Sequence, residues 1–145
     1  MVRVRNELEI TVMLDNGAIM PTKAHEDDAG FDLYAPDRLI VRPHDSGIID
    51  TGVHMAIPSG YVGMIKSKSG LNVKSGILCE GVLDAGYSGS IVVKAYNQSG
   101  EMKVFEKGDK LTQIVIMPIP RVKLVEGIVF SDTERGDNGF GSSGK

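Results

Sequence analysis

Residues 76–96 read "GILCEGVLDAGYSGSIVVKAY", two apolar runs joined by a bridge of small and polar residues, and this stretch decides the fold. Both runs are rich in Ile, Val and Leu and alternate in part with period two, as half-buried strands do. The bridge "AGYSGS" has the residues that tight turns demand. Outward from it the pattern recurs in "LEITVML", "GIIDTGVHMAI", "YVGMIK", "LTQIVIMPI" and "VKLVEGIVF", with "DNGA", "PSGY" and "NQSGE" as turns between them. No window of 11 or more residues has a helical stripe of apolar positions. The expected class is all-β, closing as a sandwich, jelly roll or small barrel, with at most one short helix near residues 71–74.

The chain of 145 residues suits one domain with one core. Hydrophobic residues make up 41% and charged residues 24%, the balance of a folded chain. A net charge of -3 gives no basic field for long nucleic acid. Cys79 is the only cysteine, which excludes an intrachain disulfide and suits a reducing compartment. Charges interrupt the N-terminal residues, and no stretch of about 18 apolar residues occurs, so neither a signal peptide nor a membrane span is expected and the setting is read as cytoplasmic.

Four stretches hold more polar chemistry than a structural chain needs. "EDDAGFDLYA" places Asp32 between Phe31 and Leu33, so alternation turns it to the face opposite both. "KSKSGLN" gathers Lys66, Ser67, Lys68, Ser69 and Gly70, supplying cations, hydroxyls and free N–H groups in the manner of a phosphate cradle. "EGVLDAGYSGSIVV" sets Asp84 and Tyr87 among glycine and aliphatic residues, where an acid is a candidate base near neutral pH. "KGDKLTQIVIMPI" puts Gln113 at the entrance of a strand. Finally "RGDNGFGSSGK", residues 135–145, has too much glycine for a helix or core strand. On composition alone it is either a frayed end or a segment that orders on a ligand.

In this order, "AGFDLYA", "KSKSGL", "GVLDAGYSG", "GDKLTQIVI" and "RGDNGFGSSG" resemble the five motifs of the trimeric dUTP pyrophosphatases, the deoxyuridine triphosphatases, over residues 21–145. The resemblance implies a jelly-roll subunit, a distorted β-barrel, over residues 1–134, and a mobile arm, residues 135–145, that caps bound nucleotide on a neighbouring subunit of a homotrimer with shared active sites. It implies hydrolysis of dUTP to dUMP and pyrophosphate with Mg2+ as cofactor, which limits uracil incorporation into DNA. Asp84 is then the general base for the water that attacks the α-phosphorus, and Tyr87 stacks under the deoxyribose and excludes a 2′-hydroxyl. Main-chain groups around Gly81, Val82, Leu83 and Val92 read the uracil edge. Lys68, Ser69, Gly70 and Gln113 hold phosphate oxygens, and Asp32 meets the magnesium through water. In the arm, Phe140 stacks on the base, while Arg135, Gly141, Ser142 and Ser143 grip the phosphates.

The chain departs from the family pattern in having Lys68 where arginine is common, which replaces a bidentate fork by a single ammonium. Asp137 and Asn138 stand where small residues are usual, and Ala85-Gly86 where polar or acidic ones are. Two other readings stay open on the residues: an enzyme like the dCTP deaminases, and a nucleotide-dependent regulatory protein acting through an unidentified partner. His25, His44 and His54 lack the spacing of a metal site and read as surface or turn residues, and Cys79 as a buried structural thiol.

Overall fold

The computed structural model describes residues 7–141 and 144. In chain order the elements are β1 (Val12–Leu14), β2 (Gly30–Tyr34), β3 (Leu39–Val41), β4 (Ser46–Asp50), β5 (Val53–Met55), β6 (Tyr61–Lys66), α1 (Ser69–Ser75), β7 (Ile77–Leu83), β8 (Val92–Asn97), β9 (Lys103–Phe105) and β10 (Lys110–Pro118). The expectation of a β protein with one short helix holds among the described residues. Six strands form a sheet in the order β2-β10-β6-β7-β8-β4, and β1-β5 and β3-β9 form two-stranded sheets. Every named pairing is antiparallel.

The stretch at 76–96 becomes β7 and β8, though not as a simple hairpin. Ile77, Leu78 and Cys79 pair with Asn97, Tyr96 and Ala95 of β8. From Glu80 onward β7 pairs with β6, Glu80 opposite Lys66 and Leu83 opposite Gly63. The β8 strand pairs with β4 as far as Val92, opposite Asp50. The two strands therefore part beyond Cys79, the sheet curls at that handover, and the tip of the hairpin stays open.

Alternation sets the faces. Along β8, Val93, Ala95 and Asn97 turn inward while Val92, Lys94 and Tyr96 turn outward. Along β7, Ile77, Cys79 and Leu83 are buried. With Leu33, Val41, Val53, Phe105, Leu111 and Ile114 these side chains make one core. Each full burial of a Val, Leu, Ile or Phe side chain stabilises the fold by about 1.5–3 kcal/mol. The core's polar members find partners inside it: the Thr51 hydroxyl donates to the Ile91 carbonyl at 2.6 Å, the Thr112 hydroxyl to the Lys66 carbonyl at 2.5 Å, and the Asn97 amide to the Val41 carbonyl at 3.1 Å.

Three expected strands differ from the structure. The run "GIIDTGVHMAI" breaks at Gly52, φ 68°, into β4 and β5, which join different sheets. Of "LEITVML" only Val12–Leu14 is strand, because β5, its partner, is three residues long. The run at 122–130 forms no strand, and residues 119–141 contain neither helix nor strand. A strand requires a neighbour to satisfy its N–H and C=O groups, and β10 leaves its own neighbours at Pro118. Ile128 and Phe130, 101% and 100% exposed, have no surface of their own chain to cover them. The helix α1 encloses the expected residues 71–74 and buries none of its side chains. Among the described residues no helix is long and apolar enough to cross a membrane.

Candidate active site

The parted strands make a cleft of about 230 Å³, and six of the residues expected at the site line it: Gly81, Val82, Leu83, Asp84, Tyr87 and Val92. Alternate residues of a strand direct N–H and C=O to opposite sides. In the Glu80–Leu83 half of β7, therefore, every other residue turns its main-chain groups away from β6 and toward this cleft.

A turn closes the cleft. The Tyr87 N–H donates to the Asp84 carbonyl at 3.2 Å, with Gly86 at φ 82°, a left-handed conformation that glycine takes without strain. The Gly86 N–H donates to the Ile57 carbonyl at 3.3 Å, tying the turn to the loop after β5. The Tyr87 hydroxyl donates to the Ser90 carbonyl at 2.9 Å. This bond folds the ring over Gly89, where an added Cβ would collide with it. Gly89 thus fixes where the aromatic face lies. Asp84 stands exposed on the turn, so the apolar surroundings expected for it are not supplied by one copy of the chain.

The second group of residues gathers elsewhere. β10 sets Gln113 opposite Asp32 of β2 on one side and Lys66 of β6 on the other. The chain leaves β6 into residues 67–70, where Ser69 and Gly70 open α1 and have N–H groups with no acceptor within the helix. The Gln113 amide donates to the Ser67 carbonyl at 3.1 Å, and the Cys79 N–H to the Ser67 hydroxyl at 3.0 Å, which pins this loop to β10 and β7. Asp32, whose side chain is only 5% exposed, pairs with Lys68 and, at 3.3 Å, with Lys110. Lys68 thus rests on Asp32 while its side chain stays 28% exposed. None of Lys68, Ser69, Gly70, Gln113 and Asp32 lines the cleft at Tyr87.

The arm is apart from both groups. Arg135 donates from Nε to the Asn138 carbonyl at 2.9 Å within its own turn, and Phe140 and Gly141 are exposed. Ser142 and Ser143 lie outside the described residues. A larger cleft of about 610 Å³, between the N-terminal segment and β2, β6 and β10, holds none of the expected site residues and is walled by apolar side chains such as Leu8, Ile10, Phe31 and Ile116.

Sequence reading missed several contributors. Lys110 gave no signal beyond its place after a turn. Ser67 was noticed only as part of a polar run, and Gly89 only as turn punctuation. His54 is a correction: it lies in β5 with its side chain 18% exposed, and both of its ring nitrogens are bonded. Contacts with Asp15 and Ser88, 39 and 34 residues away, leave no trace in local spacing. The Ser88 carbonyl, then the Asp15 carboxylate, raise the His54 pKa above the ordinary imidazole value. The Gly52 N–H and then the Ser90 side chain lower that of Asp50. Cys79 is buried as expected, and burial pushes its thiol up, away from the reactive thiolate.

Comparison with known proteins bears on the family and the fold. The profile of the dUTPase family matches residues 16–144. The deoxyuridine 5'-triphosphate nucleotidohydrolase of Clostridium kluyveri is 38% identical over 134 residues, spanning 90% of this chain and 94% of its own. The dUTPase of Staphylococcus bacteriophage 80alpha with dUPNHPP superposes with a TM-score of 0.84 at 30% identity, covering 94% of this chain and 99% of its own. A point mutant of the dUTPase from phage phi11 of S. aureus, in which a structural Mg(II) ion is coordinated, does so with a TM-score of 0.78 at 29% identity over 86% and 100% of the two chains. The curled sheet and its short flanking sheets are thus the jelly roll that the motifs implied. With its five motifs in order and its matches running nearly end to end, the chain belongs to the dUTPase family.

Proposed function

We propose that this protein hydrolyses dUTP to dUMP and pyrophosphate, limiting the uracil available for incorporation into DNA. The observation that carries the reading is the open tip of β7 and β8, where Asp84, Tyr87 and outward-turned main-chain groups surround one cleft. A uracil edge finds donors and acceptors in the main chain around Gly81, Val82, Leu83 and Val92, with little room beside them for a 5-methyl group. Tyr87 lies under the deoxyribose and leaves no space for a 2′-hydroxyl. Asp84 accepts a proton from water as the water oxygen bonds to the α-phosphorus, and the bond to the departing pyrophosphate breaks.

The triphosphate needs its charge neutralised before water can approach. Lys68, the opening N–H groups of α1 at Ser69 and Gly70, and Gln113 serve its oxygens. Among the described residues no cluster of three His, Cys, Asp or Glu side chains is able to hold a metal ion. Asp32, paired with Lys68 and Lys110, would reach a Mg2+ carried by the triphosphate through water. Such an ion supplies charge neutralisation at the phosphate oxygens.

One copy does not complete the site, since the cleft, the phosphate loop and the arm are separate in it. The unpartnered apolar run at 122–130 and the larger apolar cleft by the N-terminal segment are complementary features of one chain. A closed ring in which each copy lends its run to the next covers both, and a homotrimer with shared active sites is such a ring. Residues 135–145 then act as a capping arm over a neighbour's nucleotide, through Arg135, Phe140, Gly141, Ser142 and Ser143. The single buried thiol suits a reducing, cytoplasmic setting.

Incubation with dUTP or dCTP and Mg2+, following pyrophosphate and ammonia, tests the reading. Pyrophosphate from dUTP alone is expected. Ammonia from dCTP indicates a deaminase, and no product from either indicates a binding protein.

A further inference from the structure

The geometry points to His54 as a positioning residue for dUTP hydrolysis: as an imidazolium bridging Asp15 and the Ser88 carbonyl, it holds the outer part of the hairpin tip, next to Tyr87, in its working place. The inference rests on the function proposed above.

His54 Nδ1 lies 2.8 Å from the Ser88 carbonyl oxygen, and Nε2 lies 3.0 Å from Asp15 Oδ1. A carbonyl and a carboxylate both accept, so both ring nitrogens have to donate, and only the protonated ring does that. A neutral imidazole keeps one of the two bonds and loses the other. The charged groups that face the ring are Asp15, in the turn after β1, and Asp50 at the end of β4, so the neighbours favour the cation.

The bridge is one part of a set of ties on the same turn. Asp15 is itself fixed, its N–H donating to the Gly52 carbonyl at 2.9 Å. The Tyr87 hydroxyl donates to the Ser90 carbonyl at 2.9 Å, closing the loop from residue 87 to residue 90. Ser88 stands between the two residues so held. Main-chain bonds join the base of the turn to β5, with the Ile91 N–H donating to the Val53 carbonyl at 2.8 Å. At its outer part, His54 is the contact that depends on protonation.

A group whose pKa is raised on folding stabilises the fold fully below its unfolded value and loses that contribution as pH rises through its folded value. The bridge is therefore present in acid solution and fails as the pH climbs past the raised imidazole value. Releasing Ser88 loosens Tyr87 and the uracil-reading main chain before it touches the bond-breaking step, so KM responds more than kcat.

The test has two arms on the full-length protein. Nitrogen-15 NMR of the His54 ring is recorded from about pH 5 to pH 9, spanning the range of about 5 to 8 in which imidazole ordinarily changes charge, together with the Ser88 and Tyr87 amides. Steady-state kinetics on dUTP and UTP cover the same range for wild type, His54→Ala and His54→Gln. The expected result is a doubly protonated ring that loses a proton only above the ordinary imidazole value, hairpin amides that shift with its titration, and a KM for dUTP that rises several-fold as the ring deprotonates. His54→Ala should show the high KM throughout, with the wild-type step missing from its profile. His54→Gln, whose amide still donates to Ser88, should recover part of the affinity at all pH values.

A ring neutral throughout, hairpin amides that ignore its titration, or KM profiles of wild type and His54→Ala that run parallel would each overturn the proposal. If wild type fails to turn over dUTP, the functional reading falls. The NMR arm then still decides whether the bridge exists.

Discussion

At the scale of residues, the proposed chemistry rests on one carboxylate and the discrimination on one ring. Asp84→Asn keeps the shape of the turn and a hydrogen-bonding group while removing the base. Turnover of dUTP should fall by about 10²–10⁴-fold, with affinity for a non-hydrolysable dUTP analogue kept within about tenfold, a change below about 1.4 kcal/mol. Near-normal turnover in this variant would end the assignment. Tyr87→Ala removes the face held over Gly89 and should raise activity on UTP relative to dUTP. An unchanged ratio would show that the ring is no steric gate. Both residues were legible as cleft-lining candidates because an acid and an aromatic stand out in a glycine-rich, aliphatic hairpin. His54 was not, because its partners come from β1's following turn and from the hairpin, and only the fold brings them together.

At the scale of elements, the strands read well wherever the alternation had a partner to serve, as in β6, β7, β8 and β10. Sequence periodicity does not carry the handover of β7 from β8 to β6, since a strand's pattern tells which face is buried and not which neighbour it pairs with. That handover is what opens the cleft. The run at 122–130 carries the composition of a strand but finds no neighbour within its own chain. The arm after it has no core contact among the described residues, so its role is separable from folding. Truncation before Arg135 should leave the unliganded melting temperature nearly unchanged and depress turnover sharply. Phe140→Ala should reproduce part of that loss, since base stacking on an aromatic is worth roughly 1–3 kcal/mol. Full activity in either variant would return the arm to being a frayed end.

At the scale of the whole molecule, the separation of cleft, phosphate loop and the described part of the arm within one copy is what the proposed shared site answers. The resemblance implies the trimer, and the proposed ring gives a place to the exposed apolar run at 122–130 and to the apolar cleft by the N-terminal segment. The most direct test is complementation between two inactive forms. Asp84→Asn chains and chains truncated before Arg135 are co-expressed, mixed assemblies are verified by native mass spectrometry, and pyrophosphate release from dUTP is measured. Shared sites predict that the mixed trimers regain activity well above either parent, because some sites then combine an intact Asp84 from one copy with an intact arm from another. Verified mixed trimers no more active than the parents would contradict the account and confine each active site to a single chain.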